Sequence, residues 1–310
     1  MIGRIWAIAI NTFREAVRDR VLSGVLAFAT AVLLFTLALA QLSLDQEKRV
    51  VMDVGLASIS LFSVVVAIFL GSSLLYKEIE RKTLYVILPK PIHRWEFLVG
   101  KYAGITLTGV VFIAMMGSVQ LWIASIQSEA SAALVVAVPI LLLAALALAL
   151  WKSRDRTAVL VPWSLVALAC TAALASTTDV ELQVVIASLV LFAGEVMVLA
   201  AVALLFSSFS TPFLTGVFTF GVWLVGRSAD DMANMQGDAI GPEVKSVLGA
   251  VAEVWPNFNL FVPGRHTLTT YAEGFGGPWT YVAQSLGYGA IYTALVLVVA
   301  ALIFRRRDFL

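Results

Sequence analysis

A single acid, Glu195, stands in the middle of the apolar run 182–206, with no other charged side chain in that run. The chain carries 21 basic and 20 acidic residues, and the other 40 of these 41 charges fall in polar stretches or at the ends of apolar runs. Glu195 is therefore the charge whose position asks for a chemical reason, because an unpaired carboxylate in hydrocarbon costs at least a few kcal/mol. Two chemistries answer: a carboxylate that binds and releases a coupled proton, or a protonated carboxyl hydrogen-bonded to a neighbouring helix. No Lys, Arg or His is expected at its depth, so the second, structural reading is the simpler.

The other constellations fail on spacing. Gly100-Lys101 is followed by Tyr102 and lacks the glycine that opens a phosphate-cradling loop, so the chain is not expected to be an ATPase. There is no His-Glu-x-x-His, no Gly-x-Ser-x-Gly and no pair of aspartates within an apolar run. His93 and His266 are far apart, and the one cysteine, Cys170, lies in an apolar run, which argues against a metal site and excludes an intramolecular disulfide. No catalytic, cofactor-binding or metal-binding residue is expected. Gly71, Ser72, Ser73, Gly104 and Gly109 read instead as places where helices approach closely.

The elements that must hold Glu195 follow from composition. The 310 residues are 60% hydrophobic and only 13% charged, with a mean hydropathy of +0.94. Too little polar surface remains to cover a globule, which excludes a soluble enzyme, a disordered chain and a nucleic-acid binder. Apolar runs at 21–42, 54–75, 98–126, 132–150, 158–176, 182–206 and 281–304 match the roughly 20 residues a helix needs to cross a core of about 30 Å. An eighth run, 212–226, has 15 residues, about 22 Å of helix, and falls short of a crossing unless its flanks contribute. It is counted as a span because an even total keeps both termini on one side. The runs are continuously apolar rather than alternating, which excludes an outer-membrane barrel. The expected fold is all-α, a polytopic membrane helix bundle of about eight spans.

Charge sets its orientation. Sixteen of the 21 basic residues fall at the N-terminus, in the segment after the second span, around Lys152, Arg154 and Arg156, and at 305–307. The opposite side holds five, against twelve of the 20 acids. Both termini are accordingly expected in the cytoplasm. No cleavable signal peptide is expected, since 1–20 carries charge at its end and no small-residue cleavage site.

Three polar segments remain. In 1–20, Ile2, Ile5, Trp6, Ala9, Phe13 and Ala16 recur at spacings of three and four, the pattern of an amphipathic helix lying along the inner leaflet with Trp6 and Phe13 in the acyl boundary. Arg18, Asp19 and Arg20 sit where it would bend into the first span; a straight extension of that span is the alternative. The segment 77–97 carries an apolar strip, Leu84, Val86, Ile87 and Leu88, halted by Pro89 and Pro91. Such a strip needs a cover, either its own bundle or a groove on a partner. The acidic segment 227–280, with a helical rhythm over 244–254, is expected to form short helices capping the outer end, or else a solvated loop. Trp255, Phe258, Phe261 and Trp279 could equally be aromatic anchors at the outer interface.

The pattern Glu78, Glu80, Thr83, Leu88, Lys90-Pro91, Arg94, Phe97 and Gly100-Lys101 resembles the loop after the second span in ABC transporter type-2 permeases, the membrane-spanning subunits of ABC exporters. The opening Asn11-Thr12-Phe13-Arg14-Glu15 resembles that family's elbow helix, 205–210 its tight turn before the external region, and Trp255-Pro256-Asn257 with Asn259 a motif within that region. The resemblance implies a cytoplasmic elbow helix at 1–20, a transmembrane domain at 21–310, a coupling loop at 77–97 and an external re-entrant cap at 227–280. Since the family usually has six spans, 132–176 looks like an inserted helical hairpin.

By the same resemblance, Glu78, Glu80, Thr83, Leu84, Leu88, Pro91 and Arg94 would couple the chain to a cytoplasmic ABC ATPase. ATP and Mg would be bound there and not here. The chain would pair with itself or with another permease, in contact with membrane lipid, as a multi-pass protein of the cell (inner) membrane. Accessory periplasmic or membrane proteins are further candidates, and nucleic acid is not. Two rivals stand: a proton-coupled secondary transporter using Glu195, against which the spans show no internal repeat, and a force-transmitting subunit that moves no solute.

Overall fold

The computed structural model describes residues 2–43, 46–80, 93–128, 130–153, 155, 157–229, 255–264, 267–268 and 277–306, with backbone alone for 74–80 and 306. Every regular element among them is helical. In chain order these are α1 (Ile2–Val17), α2 (Arg20–Gln41), α3 (Glu47–Glu80), α4 (Arg94–Gln127), α5 (Ala132–Lys152), α6 (Leu160–Ala175), α7 (Leu182–Ser207), α8 (Pro212–Arg227) and α9 (Pro278–Arg306), with a single 3-10 turn, Asn259–Phe261, between the last two. Six of them, α2, α3, α4, α5, α7 and α9, are long and apolar enough to cross a membrane. Helices α6 and α8 have 16 residues each and would span only about 24 Å. The chain is thus a polytopic helical bundle.

Helices α4 and α7 form its centre and are the most buried of the six, while α5 buries no residue at all. Small residues set how closely the centre packs. A Cβ at Gly71 of α3 would collide with Ala203 of α7, and one at Gly109 of α4 with Val196 of α7. Close backbone approach of this kind replaces the hydrophobic drive that is missing between helices in lipid.

Ion pairs show which turns share an end. Arg14 of α1 reaches Asp155 in the α5–α6 turn at 2.7 Å, and Arg94 at the start of α4 donates to the carbonyls of Phe304 and Arg305 in the last turn of α9 at 3.3 and 3.1 Å. This basic end therefore gathers α1, the start of α4, the α5–α6 turn and the end of α9. At the far end Lys48 of α3 lies 3.8 Å from Asp179 in the α6–α7 turn.

Helix α1 ends at Val17 and α2 begins at Arg20, with the Asp19 carboxylate accepting from the N–H of Val21. The break falls at the expected place, so α1 is no straight extension of α2. Its expected surroundings need correcting. Phe13, Ala9, Thr12 and Ala16 are fully buried, while Trp6 is exposed. The reason is Gly100 and Gly104, four residues apart on α4: a Cβ at the first would strike Ile8, and one at the second Thr12 and the carbonyl of Ala9. This small-residue face draws α1 against the first turns of α4, which places Phe13 in protein and not in the acyl boundary.

The peripheral α5 is attached by a specific device. Pro139 lies inside it and has no N–H to give to the carbonyl of Val135 four residues earlier. The indole N–H of Trp122, on α4, donates to that carbonyl at 2.9 Å. In surroundings without water, a neighbouring helix has to supply the missing donor. The indole N–H of Trp163 on α6 also bonds to this helix, at Leu142 O, at 3.1 Å.

Candidate functional site

Glu195 sits midway along α7 and is fully buried. Its Oε1 accepts from the indole N–H of Trp223 on α8 at 2.9 Å, and its Oε2 from the hydroxyl of Ser60 on α3 at 3.2 Å. Arg227, the last residue of α8, brings Nη1 to 3.5 Å from Oε1. The neighbouring helices expected from the sequence are present, but the expectation that no cation lies at this depth is wrong.

The length of α8 explains why. Trp223 and Arg227 are four residues apart and share a face. Since α8 has only 16 residues, it is about 24 Å long against a hydrocarbon core of about 30 Å. An arginine at its end is poorly hydrated, lies with 31% of its side chain exposed and turns its guanidinium inward to the carboxylate. The deficit in the 212–226 run was the signal of this pairing in the sequence. Ser60 carried no such signal, since serines are common in apolar helices and its partner is 135 residues away.

Beside Glu195 the chain re-enters the bundle. The indole of Trp255 donates to Val222 O at 2.9 Å, and the N–H of Phe258 to Gly226 O at 3.0 Å. The Asn257 side chain accepts from the N–H of Asn259 at 2.9 Å and turns the chain, while the Tyr281 hydroxyl donates to Leu260 O at 3.0 Å. The 3-10 turn ends on Phe261, which is fully buried between Gly194 of α7 and Gly289 of α9; a Cβ on either glycine would strike the ring. Gly194 lies twelve residues into α7, about 18 Å along the helix. Phe258 and Phe261 are therefore packed inside the bundle rather than anchored at an interface, whereas Trp279 is exposed. The segment 255–262 is docked, and the 244–254 rhythm lies outside the described residues.

At the basic end, α3 continues as helix through Glu78 and Glu80, whose side chains are outside the described set. So are Thr83, Leu84, Leu88 and Pro91, with the rest of the 81–92 stretch. The point where this segment rejoins the bundle is well defined. Glu96 is buried, accepts from the N–H of His93 at 3.3 Å, and has Arg4 of α1 at 3.9 Å. Arg94 bonds the carbonyls that end α9, groups a helix leaves without an internal partner. Phe97 stacks on Phe304, with ring centroids 6.3 Å apart. Buried Lys101 lies 3.6 Å from Glu15. The start of α4 is thus fastened to α1 on one side and to α9 on the other. The sequence pattern already contained Arg94, Phe97 and Lys101 of this clamp but not its buried Glu96.

Among the described residues, no group of three or more His, Cys, Asp or Glu side chains could hold a metal ion. A family model described as "ABC-2 family transporter protein" matches residues 6–309. A comparison with curated proteins finds no match.

Proposed function

The chain belongs to the ABC-2 transporter family, and from that premise we propose that it is the permease subunit of an ATP-driven exporter, worked by a separate cytoplasmic ATPase that binds the segment 77–97. In this reading the bundle crosses the inner membrane eight times with both termini in the cytoplasm, the pair α5–α6 is a hairpin added to a six-span core, and two permease subunits form the path. ATP and Mg act on the partner, and this chain catalyses nothing.

The observation that carries the proposal is the double clamp at the start of α4. A loop that transmits a push must end on something stiff. The return of 77–97 is fixed by Glu96 to α1 and by Arg94 to the end of α9, so force applied there moves three helices together. Glu195 is better explained as a cross-brace among α3, α7 and α8 than as a proton carrier, because all three of its partners hold it in place.

The test is co-purification of the ATPase with the double substitution Leu84→Asp and Leu88→Asp. Burial of one leucine is worth about 1.5–3 kcal/mol, roughly 10–100-fold in affinity. The partner should be lost or uncoupled while the helices remain folded. A stable complex with full ATP-dependent transport would refute the coupling role of this segment.

A further inference from the structure

Between the start of α4 and the end of α9, at the basic end, lies an open groove of about 480 Å³. Its floor is Val298, Ala301 and Leu302 of α9, and its rim is His93, Arg94 and Trp95 across from Arg305. The floor is apolar and faces outward, with Val298 and Leu302 each more than half exposed. Arg305 lies seven positions beyond Val298, a rise of about 10 Å. Over that distance the surface changes from aliphatic to basic, as a leaflet changes from acyl chain to headgroup. Trp95, 40% exposed at the rim, has the apolar ring and polar N–H that suit this boundary. The guanidinium of Arg94 is held in place by its two bonds to α9, and that of Arg305, which is exposed, stands on the same helix end. Two cations lining one groove favour an anion within it.

We propose that this groove binds an anionic phospholipid, with the headgroup phosphate between Arg305, Arg94 and His93 and the upper part of one acyl chain along Val298, Ala301 and Leu302. Basic pockets between helices at a membrane surface recognise such headgroups by charge, and the apolar floor adds the selectivity for lipid over a free anion. A bound lipid would fill the space beside the point where 77–97 rejoins the bundle. The proposal goes beyond the exporter reading and does not depend on it.

The experiment is native mass spectrometry of the purified full chain equilibrated in micelles holding equal amounts of phosphatidylglycerol and phosphatidylcholine. The wild type should retain phosphatidylglycerol in preference. Arg305→Gln should lower that retention about fivefold, the effect of one surface charge, with phosphatidylcholine retention and the unfolding midpoint unchanged. Arg305→Lys, which keeps the charge, should restore most of it. Arg94 is left intact because it holds α9. Equal retention of the two lipids by the wild type, or of phosphatidylglycerol by Arg305→Gln, would overturn the site. Displacement of the lipid by millimolar inorganic phosphate would overturn the part assigned to the acyl chain.

Discussion

The bond from Trp122 to Val135 O can be tested in a way that separates it from ordinary packing. Trp122→Phe removes the indole N–H and leaves a carbonyl that Pro139 already deprives of its helical donor. Side-chain hydrogen bonds between membrane helices average about 0.6 and reach about 1.7 kcal/mol, and an orphaned buried acceptor costs about 1–3 kcal/mol. A loss of about 1–2 kcal/mol is expected. Pro139→Ala restores an N–H at position 139, which closes the regular bond onto Val135 O. In that background Trp122→Phe should cost only the difference in packing between an indole and a phenyl ring. The double-mutant cycle should therefore show a coupling energy of about 1 kcal/mol, read from reversible unfolding in mixed micelles followed by helical circular dichroism. Trp163→Phe is the control. Its acceptor, Leu142 O, keeps a helical donor at Leu146, so its cost should be unchanged by Pro139→Ala. Additive effects of Trp122→Phe and Pro139→Ala, within about 0.3 kcal/mol, would refute the argument.

Three further outcomes follow from the geometry. Glu195→Gln keeps one acceptor oxygen for Trp223 and turns its amide N–H toward the Ser60 hydroxyl, which can accept it, but it strands Arg227, which should lower stability by about 1–2 kcal/mol, less than the 3–5 of a fully buried pair because the arginine is partly exposed; adding Arg227→Gln should recover part of the loss in the unfolding midpoint. Gly104→Leu should push α1 away from α4, since its Cβ would meet backbone as well as the Thr12 side chain, and amide exchange over α1 should rise while α7 stays protected. In a Cys170-free background, a cysteine replacing Ser153 should resist an impermeant thiol reagent on intact cells and one replacing Gln236 should react; labelling of both from outside would defeat the proposed orientation.

The helices were largely legible because long apolar runs force internal hydrogen bonding in lipid, and bends such as the one at Asp19 fall where charges interrupt them. What the sequence hid was the pairing of faces. Phe13 reads as a membrane-facing ring until Gly100 and Gly104 are known to bring α1 against α4 through Ile8, Ala9 and Thr12. Glu195 looks isolated along α7 alone, and its cation comes from the end of the short α8 packed beside it. Phe258 and Phe261 suited an interface by composition, and their burial depends on the chain turning back between α8 and α9. Proline could have pointed to Trp122, since an apolar helix containing Pro139 needs an outside donor, but no spacing rule says which of eight tryptophans provides it.

The ring of Phe261 acts on the bundle as a keystone acts on an arch. Gly194 of α7 and Gly289 of α9 make room for a ring that belongs to neither helix, beside Leu286 of α9, which packs on Gly194, and Val198 of α7, which packs on Gly289. If the ring withdraws, Leu286 and Val198 are the neighbours that would have to fill the space. Emptying a packed site of this size costs about 3–5 kcal/mol. The packing between α7 and α9 thus depends in part on a short stretch of chain that is part of no spanning helix.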